Sequence, residues 1–184
     1  MTTTEPRPVR PRVSEVPVPA DARRLSTLRR IDYADAFTVT ASGAGSAEQW
    51  VHAVLQEAPR RIRRRLVIGW SALGLRLAPP WSANRVLGWK VKHSDPGFVL
   101  LAADSWFGFR GELLFRSEAD HLLFATFVQQ TNPAGRALWA MITPRHRRVV
   151  GSLLTRAARR AGELPGPSSA VGGYDRGSGG AAGA

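Results

Sequence analysis

The chain has no cysteine among its 184 residues. A disulfide framework, thiolate metal sites and a cysteine nucleophile are excluded together. Lysine is almost as scarce: Lys90 and Lys92 are the only two, so nearly all of the 26 basic residues are arginine. No apolar run has the length of a membrane span. The longest, Leu66 to Leu75, is about half of the ~20 residues a spanning helix needs. Residues 1–20 carry Pro and Arg but no apolar h-region, so they predict no secretory signal and a soluble, cytoplasmic chain. There is no G-x-S-x-G elbow, no H-E-x-x-H and no RRM, KH or zinc pattern. His52, His121 and His146 lack metal-ligand spacing. No metal and no cofactor is expected.

What is present suits one domain. Apolar content of 43% and charged content of 22% are ordinary for a globular chain. The net charge is +12. Residues 31–161 hold eighteen basic residues against nine acids, so the folded part is basic in its own right and favours anionic partners. Residues 1–22 are rich in Pro and Arg without apolar periodicity, and predict a disordered arm. Residues 162–184 are a Gly/Ala/Ser tail, also predicted to be disordered. The domain is then 23–161.

Periodicity predicts the elements. Asp32–Thr40 alternates as a strand with Tyr33, Asp35, Phe37 and Val39 on one face. A breaker at Ser42–Ser46 precedes a helix over 47–57, with Ser46 as its N-cap and Trp50, Val51, Val54 and Leu55 as its apolar stripe. A second helix starts at Pro59, runs to about residue 77 and stops before Pro79-Pro80. Strands follow at Arg85–His93, Phe98–Ala103, Trp106–Arg116 and His121–Gln130, joined by turns at 94–97 and 117–120. In His121–Gln130 both parities are apolar, so its inward face stays open. Short connections favour an antiparallel meander. A last helix begins at Asn132-Pro133, a cap followed by Pro at the first helical position, and runs to Ala161. Pro144 is expected to kink or restart it. The fold class is α+β: a curved antiparallel sheet wrapped around a long C-terminal helix, with two short helices after the first strand.

Three segments resemble the START-like (SRPBCC) superfamily, whose fold is called helix-grip. They are Asp32–Phe37 before the helix pair, Val86–Lys90 opening the sheet, and Asn132–Trp139 with Pro144–Arg148 in the last helix. The likeness is strongest to an uncharacterised bacterial branch of that superfamily and covers about 23–161. It implies an apolar or amphipathic small molecule bound between sheet and final helix. Some members of the superfamily use that cavity for cyclase or dehydratase chemistry.

The candidate lining set is Trp89, Phe107, Phe109, Gly111, Leu113, Phe115, Phe124, Phe127 and Trp139. Large aromatics also serve as plain core, so packing and pocket lining are both open. Gly111 in mid-strand leaves room for a ligand or a crossing helix. Asp35 shares an apolar face; a buried carboxylate there is either an acid/base or is tied to an Arg or to backbone amides. His93 and Asp104 are a candidate His–carboxylate pair across a hairpin, with a solvated His93 as the plainer alternative. Arg60–Arg65 and the row Arg145, Arg148, Arg156, Arg159 and Arg160 are either solvated helix faces or a basic surface for anionic lipid or nucleic acid.

Overall fold

The computed structural model describes residues 12–40, 45–79 and 82–163. Seven strands form one antiparallel sheet: β1 (Arg12–Val16), β2 (Tyr33–Thr40), β3 (Arg85–Val86), β4 (Trp89–Ser94), β5 (Phe98–Asp104), β6 (Phe109–Ser117) and β7 (His121–Gln130). Their spatial order is β1-β2-β7-β6-β5-β4-β3. The helices are α1 (Ala20–Arg24), α2 (Ala47–Val51) continued by a π-helical turn at His52–Gln56, α3 (Arg60–Ala72) and α4 (Pro133–Glu163). This is the α+β helix-grip arrangement: a curved sheet closed by one long C-terminal helix.

Residues 12–22 are not an arm. Val13 to Val16 pair in register with Val39 to Ala36, and the chain then crosses to the back of the sheet. There Ala22 is buried, and Val16, Val18, Leu25, Leu28 and Ile31 pack on Leu100, Leu114, Leu123 and Phe127. Buried Glu112 locks this strap. Its carboxylate accepts from Ser26 Oγ at 2.6 Å and from the Thr27 amide and hydroxyl at 3.1 and 2.5 Å. Residues 1–11 and 164–184 lie outside the described residues, as does most of the Ser42–Ser46 breaker.

Because the strap covers the second face, both faces of the central strands are buried. On β7, Leu122, Phe124 and Val128 face the helices, while Leu123, Ala125 and Phe127 face the strap. That resolves the parity of this strand. The helix-facing core joins Phe37, Val39, Phe109, Leu113 and Phe115 to Trp50, Val54, Leu153 and Leu154.

Local chemistry explains the helix ends. Ser46 and Gln49 form a reciprocal capping box on α2. Asn132 Oδ1 accepts from the Gly135 amide at 2.7 Å, capping α4. Pro144 lies inside α4 without restarting it, and the Thr143 hydroxyl donates to the Trp139 carbonyl one turn back. Helix α3 ends at Ala72, earlier than expected, because Gly74 takes φ +67 and Leu75 bridges to Ser105.

The segment 85–93 is a hairpin, not one strand. Leu87 and Gly88 both have positive φ and form its turn, so Leu87 does not share a strand face with Trp89. Strand β6 starts at Phe109. Trp106 and Phe107 belong to the preceding turn and stay exposed.

Candidate functional site

The sheet face under α4 is apolar except where β2 and β7 meet the middle of the helix. Asp35 of β2 pairs with Thr126 of β7 in the ladder, so both side chains point the same way. Both are buried. Tyr33, two residues back on the same face, donates its hydroxyl to Asp35 Oδ2 at 2.6 Å. From above, α4 brings His146: its Nε2 lies 3.4 Å from Asp35 Oδ2 and 3.1 Å from Thr126 Oγ1. Trp139, two turns earlier on α4, closes the cluster. Its ring stands 5.3 Å from that of Tyr33 and 5.3 Å from that of His146, centroid to centroid.

Burial pushes the Asp35 carboxyl up. The hydrogen bond and charge of His146, with bonds from Tyr33 and Thr126, outweigh that and hold it below the usual carboxylate range. Tyr33 is pushed well above its ordinary value by burial first and then by the carboxylate it bonds. The cluster thus holds a carboxylate anion in an apolar interface with an imidazole beside it.

Two of its polar atoms have no partner: Asp35 Oδ1 and Trp139 Nε1. Buried polar atoms are rarely left so. Only two further side-chain atoms among the described residues share that condition, Trp89 Nε1 and Gln129 Oε1. Asp35 also borders an open depression of about 560 Å³, where β1 peels away from β2 beyond Val16. Glu15, Val16, Pro17, Val18, Arg23 and Ala34 form its other walls. Above the same edge, Glu15 is ion-paired with Arg147 of α4.

The expected aromatic lining is packed together. Phe109 meets Trp139 at 5.6 Å, Phe115 meets Phe124 at 5.0 Å and Trp70 meets Trp89 at 5.5 Å between ring centroids. The room left by Gly111 is taken by the Trp89 ring, 3.5 Å from where a Cβ would stand. Leu113 is buried in the same core. Phe127 faces the strap on the other side of the sheet, and Phe107 is 48% exposed. Neither lines the space under α4.

His93 and Asp104 do not meet. His93 pairs with Leu100 and Asp104 with Arg110, so they sit toward opposite ends of β5. Each takes a surface partner instead: His93 contacts Asp95 at 2.6 Å and Asp104 contacts Arg110 at 3.1 Å. The partner of Asp35 is a histidine of α4 rather than an Arg or backbone amides. Tyr33, Thr126 and His146 were not singled out as site residues by the sequence. The available signal was that a carboxylate on an apolar face needs a donor, and His146 lies seven residues, two helical turns, from Trp139 on one face of α4.

Residues 20–153 match the family model described as "Protein of unknown function (DUF2867)". The chain belongs to this family. The whole Asp35 cluster falls within the DUF2867 match. No curated protein matches the chain. Among solved structures, the chain is similar to the crystal structure of CalU16 from Micromonospora echinospora, at 11% identity over 83% of this chain and 92% of that one, with a TM-score of 0.35. The solution NMR structure of CalU16 is similar at 13% identity over 73% and 70%, with a TM-score of 0.37. Among the described residues, no helix is long and apolar enough to cross a membrane.

Proposed function

We propose that this DUF2867 chain is a START-like binding domain for an apolar or amphipathic small molecule, which enters where β1 and β2 diverge and reaches the Asp35 cluster under α4. One observation carries the reading. Asp35 is both the buried carboxylate with an unpartnered oxygen and a wall of the 560 Å³ depression. The unpartnered pair of atoms defines the ligand: a donor for Asp35 Oδ1 and an acceptor for Trp139 Nε1, on a body apolar enough to lie beside the Tyr33 and Trp139 rings.

The test is a thermal-shift screen of small amphipathic compounds that carry both a donor and an acceptor, run on the natural chain and on Asp35→Asn. The reading expects compounds that raise the melting temperature of the natural chain and raise that of Asp35→Asn much less. Hits that stabilise both proteins equally would overturn it.

A second reading, cyclase- or dehydratase-like catalysis in the same place, is favoured by the Tyr33–Asp35–His146 chain. Phenol, carboxylate and imidazole in series can hold and move a proton. A bound molecule recovered from the natural chain that differs by one water from that recovered from His146→Asn supports catalysis. Identical molecules from both leave binding alone.

A further inference from the structure

Two helices carry arginine faces that no described carboxylate neutralises. On α3, Arg60, Arg61, Arg64 and Arg65 are exposed. Their spacing puts them on one side of the helix, opposite Ile62, Leu66 and Trp70. On α4, exposed Arg145, Arg148, Arg156 and Arg159 recur at helical spacing along one face. The ion pairs of the described residues use none of these eight. The end of α4 meets the chain just before α3: Arg160 Nη1 donates to the Glu57 carbonyl at 2.6 Å, three residues before α3 begins.

Each face also exposes one large apolar side chain. Ile68, one turn after Arg64, is 56% exposed, and Met141, four residues before Arg145, is 72% exposed. Ordinary solvated helix faces alternate the two signs of charge; these carry one sign with an apolar residue set into it. Arginines at the start of α3 moreover stand where a helix favours acids. From these faces we infer that the α3–α4 surface docks on an anionic lipid membrane.

A lipid surface fits better than a nucleic acid. Single strands are held by aromatic platforms beside the basic groove. Among the described residues the exposed aromatics are Trp106 and Phe107, in the turn beside the end of α3, and neither offers a free platform: the Arg76 guanidinium covers the Trp106 ring at 3.7 Å and Phe107 packs on Gly74. An exposed Ile and Met among arginines suit the boundary between headgroups and acyl chains. Arginine stems lie along that boundary while the guanidinium groups meet phosphate.

The test is cosedimentation of the full chain with phosphatidylcholine vesicles, with and without about one part in four of phosphatidylglycerol, at about 0.1 M salt. Binding is expected only to the anionic vesicles, and should fall as salt rises. Arg61→Ala, Arg65→Ala and Arg156→Ala should each weaken it by about fivefold. Ile68→Ser should weaken it while leaving the salt dependence. Asp35→Asn should bind vesicles as the natural chain does, which separates this surface from the ligand site. Exposed arginines are replaced, so unchanged melting temperatures verify folding. Equal binding to neutral vesicles, no binding to either, or retention by duplex DNA without vesicle binding would each overturn the inference.

Discussion

His146 of α4 holds its Nε2 3.4 Å from Oδ2 of Asp35, a carboxylate buried on β2 111 positions earlier in the chain. With the Thr126 contact of the same imidazole, this contact is the buried polar tie between the long helix and the sheet it covers; the Arg147–Glu15 ion pair is a more exposed one. Removing the histidine strands an anion in an apolar interface. His146→Ala is therefore expected to cost about 1.5–3 kcal/mol, the range for a hydrogen bond to a charged group. In His146→Ala/Asp35→Asn the second change should recover part of that loss. Urea denaturation of the four proteins measures the coupling, and strictly additive losses would deny it.

The same carboxylate links stability to pH. Its folded value lies below the ordinary one, so its contribution is complete above the unfolded Asp value of about 3.9 and is lost as pH falls through the folded value. The acid limb of the stability profile should be shallower in Asp35→Asn than in the natural chain. Melting temperatures between about pH 2 and 6 test this, and parallel limbs would contradict it.

Glu112 fastens the strap that covers the back of the sheet. Glu112→Gln weakens the charge-assisted bonds to Ser26 and Thr27 and should destabilise by about 2 kcal/mol or more. Arg23, Arg24, Arg29 and Arg30 flank that anchor, so limited trypsin digestion should cut there sooner. Unchanged digestion would show that apolar packing alone holds the strap.

Two glycines should respond oppositely to alanine. A Cβ at Gly135 would stand 2.3 Å from the Gly108 carbonyl oxygen, so α4 or the 106–108 turn must move. Gly135→Ala is expected to lose about 1–3 kcal/mol despite the better helix propensity of alanine. At Gly111 the added methyl meets Trp89 at ordinary contact distance, and Gly111→Ala should change stability by less than about 1 kcal/mol. Denaturation midpoints decide both.

The strands that alternate clearly, β2 and β6, were legible along with the helix-facing sides of Phe37, Val39, Leu113 and Phe115. Capping made α2 and α4 legible at Ser46 and Asn132. Strand β1 was not, because an edge strand with partly exposed faces needs few apolar residues, and Pro and Arg around it look like an arm. Both parities of β7 were apolar because the strap buries the second face, a tertiary fact that no local pattern carries. The hairpin at Leu87-Gly88 was hidden because Leu87 adopts φ +47, which a leucine seldom does. Within the site, Asp35 was legible from strand parity, and Trp139 only as one of the large aromatics of the candidate lining set. His146 was not, since its contact with Asp35 depends on how α4 lies across β2 and β7.

Native mass spectrometry of the purified full chain, beside Asp35→Asn, addresses the central claim most directly. The account predicts a small-molecule adduct on the natural chain that is lost or much reduced on Asp35→Asn. An adduct retained equally by both proteins, or a natural chain that takes up no small molecule from a mixture of amphipathic compounds, would contradict it.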